Sequence, residues 1–173
     1  MTAALPGGIG ESQNDVWPFE MKKILILHGV NLNMFGKRDP KYYGTFTLAD
    51  LDNRLRELAR ELGVEVTCFQ TNHEGEMCER IHKAFEEKID AVVINPAGWS
   101  HNNVPVRDAL MILTVPIVEV HVANVQKREE FRHHSMISDI ARGTIAGFGM
   151  DSYLLGLRAA VSAIRAIKKN DPG

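Results

Sequence analysis

The stretch 23-KILILHGVNLNMFGKRDPKYYGTFTLADLDNRLRELARELG-63 runs from an apolar segment through a polar one into a leucine-rich one. Its first part, Lys23–His28, is continuously apolar rather than alternating, the mark of a strand buried on both faces of a parallel sheet. Its last part places Leu48, Leu51, Leu55, Leu58 and Leu62 at spacings of three and four, which predicts a helix with one apolar stripe. Thr47 with Asp50 predicts a capping pair, Phe46 with Leu51 a hydrophobic staple, and Gly63 the helix end. Between strand and helix, connections usually take about 2–6 residues. Here residues 29–46 fill it, with Asn31, Asn33, Arg38, Tyr42 and Tyr43 among them. A loop so long and so polar is expected to have work to do.

The same pattern recurs along the chain. Val64–Phe69, Ala91–Ile94, Ile117–His121 and Thr144–Gly147 read as further buried strands. A second helix is expected from 71-TNHE-74, where Thr71 and Glu74 fit a capping box, through Met77, Ile81 and Phe85, with His73 and His82 on it away from any site. A third covers roughly Val104–Leu113 and stops before Pro116; a last one spans Asp151–Lys169, with Lys168 and Lys169 complementing the helix dipole. Between His121 and Gly143 the pattern weakens to a loop and a short helix around Glu129–His134. Strand and helix alternating five times predict an α/β, flavodoxin-like three-layer sandwich. Right-handed crossovers make 2-1-3-4-5 the simplest order for its five-stranded parallel sheet. Ligands of such sheets bind beyond the C-terminal strand ends, so the loops after strands 1, 3 and 4 are expected to be neighbours.

Composition narrows the function. The chain has 173 residues, 45% of them hydrophobic and 24% charged, with a formal net charge of −2. That balance gives no bulk attraction for nucleic acid or an anionic membrane. No apolar run is long enough to span a bilayer. Cys68 and Cys78 form neither a disulfide framework nor a zinc-ligand spacing and read as reduced, buried fillers of a cytoplasmic protein. Residues 1–20, rich in Gly, Pro and polar residues, lack the basic start and apolar core of a secretory signal. They are expected to be a flexible extension before a single domain, residues 21–173.

Ionisable and amide side chains gather at the expected strand ends: Asn31, Arg38 and Tyr43 after strand 1, Asn95 and His101 after strand 3, His121 and Arg132 at and after strand 4. Glu119 and His121 are two apart on one strand and share a face. A carboxylate there orients the imidazole and favours its charged form, making a general acid; the same pair also reads as a structural ion pair. A free phenol titrates near pH 10, and each unit of lowering takes about 1.4 kcal/mol. A guanidinium held close in a dry site supplies such an interaction, so Arg38 with Tyr43 reads as a base, or else as a solvated loop with packed tyrosines. Asn31 and Asn95 fit oxyanion donors or turn formers. His101 fits a ligand hydroxyl or a helix cap, and the adjacent His133 and His134 a structural role. No G-x-G-x-x-G follows strand 1, no phosphate-binding loop exists, strand 3 ends in Asn95 rather than an aspartate, and no lysine sits at a strand end as an imine former. No metal constellation stands out.

Longer motifs carry a resemblance. The segments 31-NLNMFGKRDPKYYG-44, 70-QTNHEGEMCERIH-82, 94-INPAGWSH-101, 106-VRDAL-110, 117-IVEVHVANVQKREEFRHHS-135 and 153-YLLGLRAA-160 resemble type II 3-dehydroquinate dehydratase, from about Lys23 to Ile167. The resemblance implies reversible dehydration of 3-dehydroquinate to 3-dehydroshikimate through an enolate, without metal, cofactor or imine, in trimers that pack into a dodecamer. It implies Tyr43 as base, Arg38 as the lid residue that activates it, Asn31 as enolate stabiliser, His121 as proton donor and Glu119 as its partner. Asn95, His101 and Arg132 match substrate-binding residues, the amides of Val122 and Ala123 a carboxylate cradle, and Asp108 a carboxylate that reaches a neighbouring subunit's site. The family's usual Asn-Gly-Pro-Asn is here His28-Gly29-Val30-Asn31, Ala123 stands in place of a serine, Ser100-His101-Asn102-Asn103 in place of Thr-His-Thr-Ser, and Trp99 is bulky for its position. Whether the pathway served is biosynthetic or quinate-degrading stays open. A non-catalytic binder of a polyhydroxy-carboxylate is the main alternative, a flavin or nucleotide module a remote one.

Overall fold

The sheet has five parallel strands in the order β2-β1-β3-β4-β5: β1 Lys22–His28, β2 Val64–Gln70, β3 Ala91–Asn95, β4 Ile117–His121 and β5 Gly143–Ala146. This computed structural model describes residues 20–170; the expected flexible extension lies almost wholly outside them. Helices α1 Pro40–Tyr43, α2 Leu48–Leu62, α3 Glu74–Glu86, α4 Val104–Met111 and α5 Asp151–Asn170 complete the order. The architecture is the flavodoxin-like sandwich the strand pattern predicts.

Continuity of the strands follows from burial on both faces. Ile24, Ile26, Val93, Val118 and Val120 pack against Leu51, Leu55 and Leu58 of α2 and Leu157, Ala160 and Ile164 of α5. Leu25, Leu27, Val92, Ile94 and Ile117 pack against Met77 and Ile81 of α3 and Val106 and Leu110 of α4. The capping box of α2 forms as the sequence predicts, with Thr47 and Asp50 reciprocally bonded and Gly63 left-handed at the C-cap.

Local differences have local causes. The box expected at Thr71 and Glu74 does not form: His73 is the N-cap of α3 and makes no side-chain cap. Thr71 stays tied to the sheet end, its N–H donating to His28 O at 3.4 Å, while its hydroxyl accepts from His73 N and donates to Glu76. Phe85, expected on the apolar stripe, is exposed, as are His73 and His82. The third helix ends at Met111 rather than Leu113, and β5 starts at Gly143. Two 3-10 turns, Val125–Lys127 and Glu130–Arg132, replace the single short helix; Asn124 caps the first of them through Gln126 N at 3.1 Å. Cys68 and Cys78 are free, and each packs against one of the two core clusters, half-buried rather than fully buried. The long connection is not irregular throughout: it holds a 3-10 turn, Leu32–Met34, and α1, started by Pro40 and capped by Asp39.

One contact sets the spacing at the mouth of the sheet. Gly29 N donates to Asn95 O at 2.8 Å, joining the end of β1 to the end of β3. A Cβ at Gly29 would lie 2.4 Å from Pro96 O and 2.8 Å from Asn95 O, so only glycine lets these backbones meet. Backbone cannot give way as a side chain does, so Gly29→Ala is expected to destabilise by about 1–3 kcal/mol or more, read as a lower urea midpoint at unchanged slope.

Candidate active site

A cleft of about 190 Å³ opens at the C-terminal ends of β1, β3 and β4, where the strand order predicts it. Asn31, Arg38, Tyr43, Asn95, His101, His121, Val122, Ala123 and Arg132 all line it, as does Arg128, which the sequence reading did not single out. Apolar walls come from Val30, Leu32, Phe35, Ala97, Gly98 and Val125. Asp108 is exposed on α4 and does not line the cleft of its own chain.

Tyr43 ends α1, and its phenol oxygen has two cationic neighbours. Arg38 Nη2 donates to it at 2.8 Å, and Arg128 Nη1 at 3.3 Å. Arg38 also stacks on the Tyr43 ring, its Cζ 3.8 Å from the centroid, and Arg128 stacks on Tyr42 at 4.2 Å. The bond to Tyr43 raises Arg128 above its ordinary value. On the core side Phe35 packs beside the Tyr43 ring and meets Phe46 in turn. A negative charge on the Tyr43 oxygen would therefore sit within reach of both guanidinium groups.

On another wall, His121 Nε2 donates to Glu119 Oε1 at 2.7 Å. Glu119 is fully buried, 0% exposed. Burial pushes its carboxyl up, but the bond and charge of His121 and the hydroxyls of Ser138 and Ser135 outweigh this and hold it below the usual carboxylate value. An ionised carboxylate only accepts, so the hydrogen on Nε2 belongs to the imidazole.

Asn95 is buried, its Oδ1 accepting from Ala97 N at 3.1 Å. His101 Nδ1 reaches His134 O at 3.2 Å, and Phe131 meets its ring edge-on. Burial lowers the His101 pKa, opposed by the His134 bond. Arg132 Nε donates to Glu129 at 2.9 Å. Asn31 has a left-handed backbone, φ 66°, and its N–H donates to Asn72 Oδ1 at 2.8 Å. Gln70 Nε2 donates to Gly29 O at 3.3 Å, so the end of β2 and Asn72 beyond it brace the turn that carries Asn31.

Metal-type donors come together away from the cleft. His28, Asp52 and Cys68 have ligand atoms within 4.8 Å of one another. His28 is already held by Asp52 at 3.0 Å and by Tyr153 Oη at 2.9 Å. Burial and the charge of Asp52 push the Cys68 thiol up to about 12, so it stays protonated and is a poor ligand.

A family model described as dehydroquinase class II matches residues 22–161. The chain belongs to the class II dehydroquinase family. Among class II dehydroquinase relatives, a 3-dehydroquinate dehydratase of Syntrophotalea carbinolica is 63% identical over 145 residues, 84% of this chain and 98% of the relative. The crystal structure of type II dehydroquinase from Propionibacterium acnes superposes with a TM-score of 0.79 at 48% identity, covering 83% of this chain and 99% of that one. That from Butyrivibrio crossotus gives 0.79 at 36% identity, covering 81% and 97%. The dehydroquinase fold thus accounts for the described chain from β1 to α5.

Glu119 predicts an acid sensitivity. Its folded value lies below the ordinary 4.5, so its ionisation contributes stability above that pH, and the contribution is lost as pH falls through the folded value. Glu119→Gln is expected to be less stable at neutral pH by about 1–3 kcal/mol and to lose less on acidification than the parent. Urea midpoints measured across the acid range check both.

Proposed function

We propose that the cleft dehydrates 3-dehydroquinate reversibly to 3-dehydroshikimate, with Tyr43 as base and His121 as acid. The carrying observation is that Tyr43, contacted by Arg38 and Arg128, and His121, contacted by Glu119, line one cavity. Family membership supports the substrate, since the Syntrophotalea carbinolica relative is named 3-dehydroquinate dehydratase.

In this reading the substrate carboxylate lies on the backbone amides of Val122 and Ala123, and Arg132, His101 and Asn95 hold its oxygens. The Tyr43 phenolate takes the C2 proton. The C2–H electrons move into the ring as an enolate, which Asn31 stabilises together with a water. The enolate collapses to the double bond as the C1–O bond breaks, and His121, whose Nε2–H stays on Glu119, gives the Nδ1 proton that it carries as an imidazolium to the departing hydroxyl, which leaves as water. Tyr43 ends with a proton gained and His121 with one lost, and exchange with solvent resets both. Among the described residues no lysine lines the cleft, which supports a route without an imine. No helix among the described residues is long and apolar enough to cross a membrane. Two free cysteines fit a cytoplasmic setting. Residues 21–173 form one catalytic domain in this reading, serving the shikimate or quinate pathway. Assembly as trimers within a dodecamer belongs to the same reading, and the exposed face of α4, where Asp108 stands between Val104 and Met111, is a surface open to a second copy.

The test is the ultraviolet absorbance of the conjugated enone on mixing pure protein with 3-dehydroquinate. Product forms and borohydride leaves the activity intact if the reading is right; absence of the enone would leave a carboxylate-binding protein instead. Tyr43→Phe and His121→Ala are each expected to lower kcat by about 10²–10⁴-fold while circular dichroism stays unchanged. Ala123→Ser adds a hydroxyl at the carboxylate cradle. It is expected to lower KM about fivefold, the worth of one ordinary hydrogen bond, with kcat little changed. Steady-state kinetics that match the parent at all substrate concentrations would remove Ala123 from the cradle.

A further inference from the structure

Most of the hydrogen bonds that hold Glu119, the partner of His121, and the one that holds His101 come from a single segment to which the mechanism above gives no part. Glu119 has two oxygens to satisfy. His121 takes one position on Oε1, and the rest of the shell is made of hydroxyls: Ser135 Oγ donates to Oε1 at 2.7 Å, Ser138 Oγ to Oε2 at 2.5 Å, and Thr144 Oγ1 stands 3.5 Å from Oε2. One residue before Ser135, the carbonyl of His134 holds His101 Nδ1.

The segment is itself pinned. Ile137 is fully buried in the core under α3 and α4. Met136 N donates to Ser100 O at 2.8 Å, beside His101. Arg107 of α4 donates to the Met136 carbonyl and pairs with Asp139 through both guanidinium nitrogens, Nη2 lying 3.0 Å from Oδ2. Ser135 Oγ also accepts from Ile137 N at 3.1 Å, which aims its own hydrogen at Glu119.

We propose that residues 134–139 are a positioning strap for the reaction proposed above: Ser135 and Ser138 fix Glu119 so that His121 keeps its hydrogen on Nε2, the His134 carbonyl fixes His101, and Arg107 with Asp139 latches the strap. The inference rests on the Tyr43–His121 reading for its kinetic consequence but not for its structural one. Donors on both oxygens stop the carboxylate from rotating about its last bond and favour its ionised form. The imidazole then has one acceptor, in one place, and its Nδ1 is the nitrogen not engaged by Glu119. A carboxylate freed of its serines could turn away or take up a proton, and the ring would sample both tautomers.

The experiment compares the parent with the S135A/S138A double variant and with S135T/S138T, which keeps the hydroxyls. Nitrogen-15 spectra of the histidine rings are recorded together with kcat and KM against pH. His101 is the other titratable side chain that senses Glu119 and His121, with Arg132 the cation beside it, so the titration of His101 is followed in the same spectra. The parent is expected to show His121 with hydrogen on Nε2, and the alanine pair a tautomer mixture. In the alanine pair kcat falls about tenfold or more with a smaller change in KM, and the acid-side inflection of kcat moves to higher pH; the threonine pair restores the parent values. Arg107→Gln, at the outer end of the strap, supplies the second measurement should the double variant fail to fold: loss of the latch raises KM through His101 and broadens the His121 ring signals. An unchanged tautomer and an unchanged pH profile in the alanine pair, or parent-like signals and KM in Arg107→Gln, would overturn the strap. A parent that forms no enone would overturn the reaction instead, and the ring spectra would still decide what the strap does.

Discussion

A carboxylate placed inside a parallel sheet is the constraint on which the rest of this site depends. Glu119 has lost water entirely, and an isolated charge in that position would be prohibitively costly. The fold compensates by surrounding it with His121 and the hydroxyls of Ser135, Ser138 and Thr144. Those partners require β5 to lie beside β4, the segment 134–139 to cross beneath the strand ends, and His121 to stay on the same face two residues on. Each requirement is met by the strand order, with Glu119 opposite Ile94 on one side and Thr144 on the other. The cost of burying one charge thereby fixes the direction of the imidazole that faces the cleft.

The wall that carries Tyr43 is built differently. Tyr43 sits at the end of a four-residue helix in the connection after β1, held by a ring contact with Phe35, which itself meets Phe46, and by two cations. The first wall is rigid because it is a strand; the second depends on aromatic packing and guanidinium bonds at the rim. Between them, Gly29 brings β1 against β3 closely enough for Asn31 and Asn95 to line the same cavity.

Much of this was legible in the sequence, for identifiable reasons. Strands buried on both faces must be apolar throughout, so their positions and the polar residues ending them stood out. From the order of strands, Asn31, Tyr43, Asn95 and His121 could be placed at one mouth. The helix start at Thr71 was not legible, because the local pattern fits a capping box while the backbone of Thr71 remains bonded to His28. Arg128 was not legible either: it lies in a run of charged residues, and only the fold turns it across the mouth to Tyr43. Ser135 and Ser138 are polar residues in a segment of weak periodicity, and their contact with Glu119 spans 16 and 19 positions of chain. No pattern within a helix or strand reports on contacts of that kind.

The arrangement at Tyr42 and Tyr43 has a consequence for traffic through the cleft. Arg128 is rooted after β4, yet its guanidinium lies against both tyrosines of the segment after β1. It acts as a clasp across the rim, closed by attraction between a cation and two rings rather than by a hinge. Such a clasp shuts without a ligand to trigger it. Salt screens attraction of this kind more than it disturbs a buried pair such as Glu119 and His121, so added electrolyte acts first at the rim.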